Sequence, residues 1–223
     1  MNAPVEHKGF QAYYDELVVW ATPEATKADL IEAKRSFFSK TGEVFEDDKQ
    51  FEMRMAAFLE HYVLDRPMPS SGLTPARTCY LAKIAEGPPQ RSVALRALTE
   101  TVHALFEVKK LETGKIKVVN LFTDTEYAVT ERRHFAGLAK NDVLEARLVH
   151  LERAWYFMGV SCFHPKQAAP LLVKEARRRR KKSGDQAPVE LISEAAQRSL
   201  KADRYRNIAI EKIYDFGSSG AGH

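Results

Sequence analysis

Between residues 104 and 163 apolar and polar positions alternate one by one, and on either side of that block they recur every three or four residues. A period of two places successive side chains on opposite faces of a strand, whereas a period near 3.6 gathers them on one stripe of a helix. Phe106 and Val108 alternate with Glu107 and Lys109, Ile116 and Val118 with Lys115 and Lys117, and Tyr127 and Val129 with Glu126 and Ala128. Leu144, Ala146 and Leu148 do the same with Glu145 and Arg147. Five extended runs follow, 104–111, 115–123, 126–130, 142–151 and 153–163, divided by Thr113-Gly114, Thr123-Asp124, Lys140-Asn141-Asp142 and Glu152-Arg153. The last run is apolar on both faces around Trp155, which predicts that a helix covers its second face. Five short antiparallel strands predict a small barrel of the SH3-like or OB kind, because closure removes exposed edges, or else a meander lying on helices.

The flanks read as helices. Phe10, Tyr13, Tyr14, Leu17 and Val18 share one face of a first helix. Thr22-Pro23-Glu24 has the form of a cap followed by proline, and Thr41-Gly42 that of a stop. An acidic stretch, Glu43, Glu46, Asp47, Asp48 and Glu52, leads into a helix running to Leu64, with Asp47 or Asp48 as its cap. Thr74-Pro75 and Gln90 open two more helices, Pro165 ends the strand block, and two further helices carry the chain to about Tyr214. The expected class is α+β, with a helical bundle over 1–103, an antiparallel β-unit over 104–163 and basic helices over 164–216 packed on the same body. Residues 217–223, rich in Gly and Ser, read as a flexible tail.

Charge changes this picture at the C-terminal end. The net charge is +4, yet residues 1–100 hold 12 Lys and Arg against 15 Asp and Glu, and residues 164–223 hold 13 against 7. Arg177, Arg178, Arg179, Arg180, Lys181 and Lys182 are consecutive, and Arg204 and Arg206 extend the basic character. Arg132 and Arg133 make the connection between the third and fourth strands basic as well. Neutralising phosphates with such side chains releases counterions, so a polyanion, nucleic acid above all, is the expected partner. A solvated helix end is the competing reading of the run, and a core role is the competing reading of Trp155, Tyr156, Phe157 and Phe122 as base-stacking groups.

Catalytic chemistry is not visible in the pattern. No phosphate-binding glycine loop occurs, and His103, His134, His150 and His164 sit on different elements without helical metal-ligand spacing. His61, one turn before a helix end, reads as structural, and Asp65-Arg66 as a local ion pair. The two cysteines, Cys79 and Cys162, form no CxxC and argue for a reducing compartment. No apolar run approaches the roughly 20 residues of a membrane span. The N-terminus carries no apolar core, so a cytoplasmic location is expected.

The run from Phe58 to Pro67, then Leu105-Phe-Glu-Val108 and Asp142-Val-Leu-Glu-Ala-Arg-Leu148, resembles uncharacterised bacterial proteins with a helical arm followed by a small barrel-like unit. The resemblance spans residues 30–165 and implies a fold without an activity. The expected function is that of a non-catalytic binding or adaptor protein whose basic arm meets an acidic partner, with no cofactor. The alternatives are a protein scaffold or regulatory homo-oligomer and, ranked last, a metal-dependent enzyme using the acids of 43–52.

Overall fold

A computed structural model describes residues 9–84, 86–131, 137–183 and 187–217. Helices α1 (Gly9–Ala21), α2 (Lys27–Thr41), α3 (Phe51–Leu64), α4 (Pro75–Lys83) and α5 (Pro89–Leu98) precede five strands, β1 (Val102–Glu112), β2 (Lys115–Asn120), β3 (Glu126–Thr130), β4 (Val143–Leu151) and β5 (Ala154–Phe163). Helices α6 (Ala169–Ser183), α7 (Ala187–Arg204) and the short α8 (Ile210–Ile213) follow. The class is α+β. Among the described helices none is long and apolar enough to cross a membrane.

Strand positions agree with the period-two pattern, and the turn residues show why the chain reverses where it does. Gly114 has φ 73°, and Asp124, Asn141, Glu152 and Arg153 are non-glycine residues in the left-handed region. Two consecutive positive φ values at Glu152-Arg153 make the tight hairpin between β4 and β5. The sheet corrects one expectation: it is mixed. β1–β2, β2–β3, β1–β4 and β4–β5 pair antiparallel, but β3 meets β5 in parallel through Val129 opposite Trp155 and Thr130 opposite Tyr156. The pairing order β1-β2-β3-β5-β4 returns to β1 and closes as a barrel.

Some local expectations are corrected too. Thr22 does not cap α2; its hydroxyl donates to the Val18 carbonyl at the end of α1, and a 3-10 turn, Glu24–Thr26, precedes α2. Neither Asp47 nor Asp48 caps α3, which begins later; Asp48 accepts from the Phe45 amide at 2.7 Å and binds Arg204. Thr74 does cap α4, accepting from the Arg77 amide at 3.2 Å. Gly42 ends α2 with φ 92°, and a Cβ there would stand 3.3 Å from Leu200 of α7, so glycine serves both the turn and the close approach.

Two apolar clusters hold the body together. One fills the barrel with Phe106, Val118, Leu144, Leu148 and Phe157 and continues into Leu172 of α6, Leu191 of α7 and Tyr214. The other joins α1–α5, through Leu17, Phe58, Tyr62 and Leu98, to Val149, Leu151 and Met158 on the outer side of β4 and β5. On β4, Leu144 and Leu148 therefore belong to the barrel cluster, whereas Val149 and Leu151 pack on the helices. Phe122 and Phe157 are core, while Tyr127 packs edge-on against both Phe106 and Trp155. Between the outer side of β4–β5 and helices α2, α3 and α7 the packing is incomplete, and a chamber of about 590 Å³ remains.

Candidate functional site

The chamber is made by two periodicities meeting. On α3, Arg54, Ala57, Glu60, His61 and Leu64 recur at three- and four-residue intervals and line it, while Phe58 and Tyr62 turn into the bundle core. On β4 the outward positions Glu145 and Arg147 line it, and Val160 and Cys162 do so from β5. His103, at the start of β1, and Ile192 and Ala196 of α7 complete the wall. Apolar surfaces with a few convergent polar groups are the usual make-up of a small-ligand site.

Buried charge is concentrated here. The Arg147 side chain is 3% exposed and holds Asp65 with both terminal nitrogens, Nη1 to Oδ1 at 3.0 Å, while Nη1 also donates to Thr101 Oγ1 at 2.9 Å. Glu60, equally enclosed, lies 3.5 Å from Arg147 Nε and accepts from the Val160 amide at 3.3 Å. Burial raises the Glu60 carboxyl above the usual carboxylate range despite Arg147. Burial also works against the Asp65 charge, but Arg147 and the His61 imidazole outweigh it and hold that carboxyl far below its usual range. His61 Nδ1 stands 3.5 Å from Asp65, so His61 belongs to this network and Asp65 does not pair with Arg66, which instead clasps Asp29 at 2.7 Å.

Across the chamber, His103 Nε2 and Glu145 Oε1 are 3.0 Å apart. Burial opposes the Glu145 charge, but the His103 hydrogen bond leads the influences that leave that carboxyl lowered. Arg54 is 2% exposed; its Nη2 donates to the Thr41 carbonyl and lies 3.5 Å from that of Gly42, at the end of α2, and its Nε has no acceptor. Glu145 acts on Arg54 only through space. Beside Glu145, burial pushes the Cys162 thiol up to about 12 and the His164 imidazole down to about 4.

Histidines that look scattered in the chain are thus brought together. His61 and His103 face one cavity, and His164 lies close to Glu145 at its edge. The acids of 43–52 supply no cluster at the chamber; Asp48 is engaged by Arg204 Nε at 2.8 Å.

The basic run is divided by its neighbours. Glu175, 7% exposed, accepts from Arg178 at 2.7 Å and from Arg179 at 2.6 Å, and Arg179 also reaches Glu194 at 2.9 Å. Arg180 pairs with Asp124, and Arg204 adds a stacking contact on Phe45. Arg177, Lys181 and Lys182 are exposed, as is Arg206. Lys140, Lys166, Lys174, Arg177, Arg178 and Lys181 line an open groove between α6 and the 139–142 loop, facing Glu107 and Asp142. Arg132 and Arg133 lie outside the described residues, as do residues 218–223 of the Gly- and Ser-rich tail.

A family of unknown function (DUF7986) matches residues 26–190, well over half of the chain. The chain belongs to that family. The matched span of this DUF7986 member takes in Arg54, Glu60, Asp65, His103, Glu145, Arg147, Cys162 and His164, and leaves out Ser199, Arg204 and Tyr214. No curated protein and no solved structure matches the chain.

Proposed function

We propose that the chamber is the working site of the molecule, that it takes a small organic anion, and that His103 and Glu145 form an acid–base couple beside it. Arg54 is the observation that carries this reading. A guanidinium removed from water is expensive to keep charged unless an anion meets it. Among the described residues no carboxylate forms an ion pair with Arg54, whereas Arg147 nearby has two. A carboxylate or phosphate entering the chamber completes the missing half of the pair, and Lys40, also at the wall, adds charge of the same sign. With the anionic end fixed there, the His103–Glu145 couple is held by its 3.0 Å contact in one orientation, as a base and its orienting partner require.

Thermal unfolding in the presence of a panel of dicarboxylates, amino acids, sugar phosphates and nucleotides tests this. At least one class raises the midpoint of the native chain, as mass action demands of a ligand that binds only the folded state. The rise disappears in Arg54→Met and in Ala57→Trp, which fills the chamber. No shift with any anion, or a shift that survives Ala57→Trp, contradicts it.

The groove along α6 favours a second reading, in which a polyanion such as nucleic acid lies against Lys174, Arg177 and Lys181. The five-stranded closed order with its parallel β3–β5 contact supports an OB-type reading, a class that includes oligonucleotide binders. Labelled single-stranded DNA should then bind with a log–log salt slope that falls by about 0.7 for each phosphate contact removed. Lys174→Glu, Arg177→Glu and Lys181→Glu together should abolish binding; unchanged anisotropy would exclude this surface.

A further inference from the structure

We infer that Glu145, Cys162 and His164 form a site for a transition-metal ion of the zinc class at the edge of the chamber. The inference shares the chamber with the proposal above but does not depend on its organic anion. The three side chains offer one oxygen, one sulfur and one nitrogen, all within 4.8 Å of one another. Register produces the grouping: Cys162 on β5 stands directly opposite Glu145 on β4, and His164 follows two residues later on the same side. A mixed Cys/His/carboxylate set suits zinc and its neighbours and not magnesium or calcium. Around an ion with bonds of 2.0–2.3 Å the donors would lie about 3.5 Å apart, so closing the site takes shifts of at most about an ångström.

The second observation is an unsatisfied ligand atom. His164 is 5% exposed, its Nδ1 is taken by the Tyr214 hydroxyl at 3.0 Å, and its Nε2 has no partner. A buried imidazole nitrogen left without a hydrogen bond is rare and calls for an occupant. Each donor is also held from behind: His164 by Tyr214, Cys162 by Ser199 at 3.4 Å, and Glu145 by His103 at 3.0 Å. Outer partners of this kind fix the tautomer and aim of metal ligands. Three protein donors leave a fourth position of a tetrahedral ion, and Glu145 and Cys162 both line the chamber, so a water or substrate atom has access to it. On binding, the Cys162 thiol gives its proton to solvent and the sulfur bonds the metal as thiolate, with no change of oxidation state.

Cobalt(II) is the probe. Tag-free full-length chain is stripped with chelator and titrated with cobalt, without any organic anion, so that a silent chamber ligand does not decide the result. One equivalent is expected to develop a thiolate-to-cobalt charge-transfer band and intense visible bands of four-coordinate cobalt. The band persists in Cys79→Ser, which assigns it to Cys162 even if Cys162→Ser fails to fold. Glu145→Gln and His164→Gln weaken binding by more than about tenfold, since loss of outer partners alone is worth that much. Absence of the band at saturating cobalt, its loss in Cys79→Ser, or wild-type affinity in both ligand variants overturns the site.

Discussion

At the scale of single residues, the contrast between Arg147 and Arg54 organises the chemistry. Arg147 spends its charge on Asp65 and Glu60, and removing one side of such a buried network leaves the others stranded. Arg147→Met is expected to lower the unfolding free energy in urea by about 3–5 kcal/mol. A loss below ~1 kcal/mol would mean that solvent reaches the cluster. Asp48 provides a pH-dependent case. Its hydrogen bond to Arg204 is the main cause that lowers its carboxyl to about 2, against a residual opposing effect of burial. A depressed folded-state value contributes stability above the unfolded value, near 3.9, and loses it as pH falls toward 2. Wild type should therefore be more stable than Asp48→Asn at pH 6, with the gap closing between about pH 4 and pH 2; a gap independent of pH would show that Asp48 acts by packing alone. Neither Arg147–Asp65 nor His103–Glu145 was legible in the chain, because their partners lie 82 and 42 positions apart and no local periodicity encodes which faces will meet.

At the scale of elements, strands were the most legible feature. Leu144, Ala146 and Leu148, the apolar positions of the alternation, are all buried in the folded β4, but Arg147 between them is buried as well. Period two does not say what covers the second face, and here α3 and α7 turn it into the chamber wall. Ligand-spacing rules apply within one helix or loop, so they could not have picked out Glu145, Cys162 and His164, which strand register brings together. The partial neutralisation of the basic run did carry a signal. Glu175 precedes Arg178 and Arg179 by three and four residues, the helical spacing for ion pairs. The β4–β5 hairpin yields a prediction of its own. Arg153 has φ 69°, a conformation that glycine adopts without the Cβ penalty. Arg153→Gly should raise the thermal midpoint by roughly 2–4 °C per kcal/mol of strain relieved, and a lowered midpoint would show that the Arg153 side chain contributes more than its backbone conformation costs.

At the scale of the whole molecule, three segments of different character form one body because each leaves a face that another covers. The bundle closes over the outer side of β4–β5, and α6 and α7 pack onto the barrel cluster. The parallel β3–β5 contact was beyond the pattern of any strand, since it involves two register pairs and depends on global closure. Incomplete packing in a body otherwise well filled is what leaves the chamber, and the charges that face it give that space its chemical character. We propose that a small anion occupies it. The most direct measurement follows the ring proton signals of the histidines by nuclear magnetic resonance while the anion with the largest thermal shift is titrated in. With an anion bound in the chamber, His61 and His103 move saturably with one affinity while His150, which packs on Trp155 away from the chamber, stays in place. Unmoved His61 and His103 signals at saturating anion, or equal drift of all three, would contradict it.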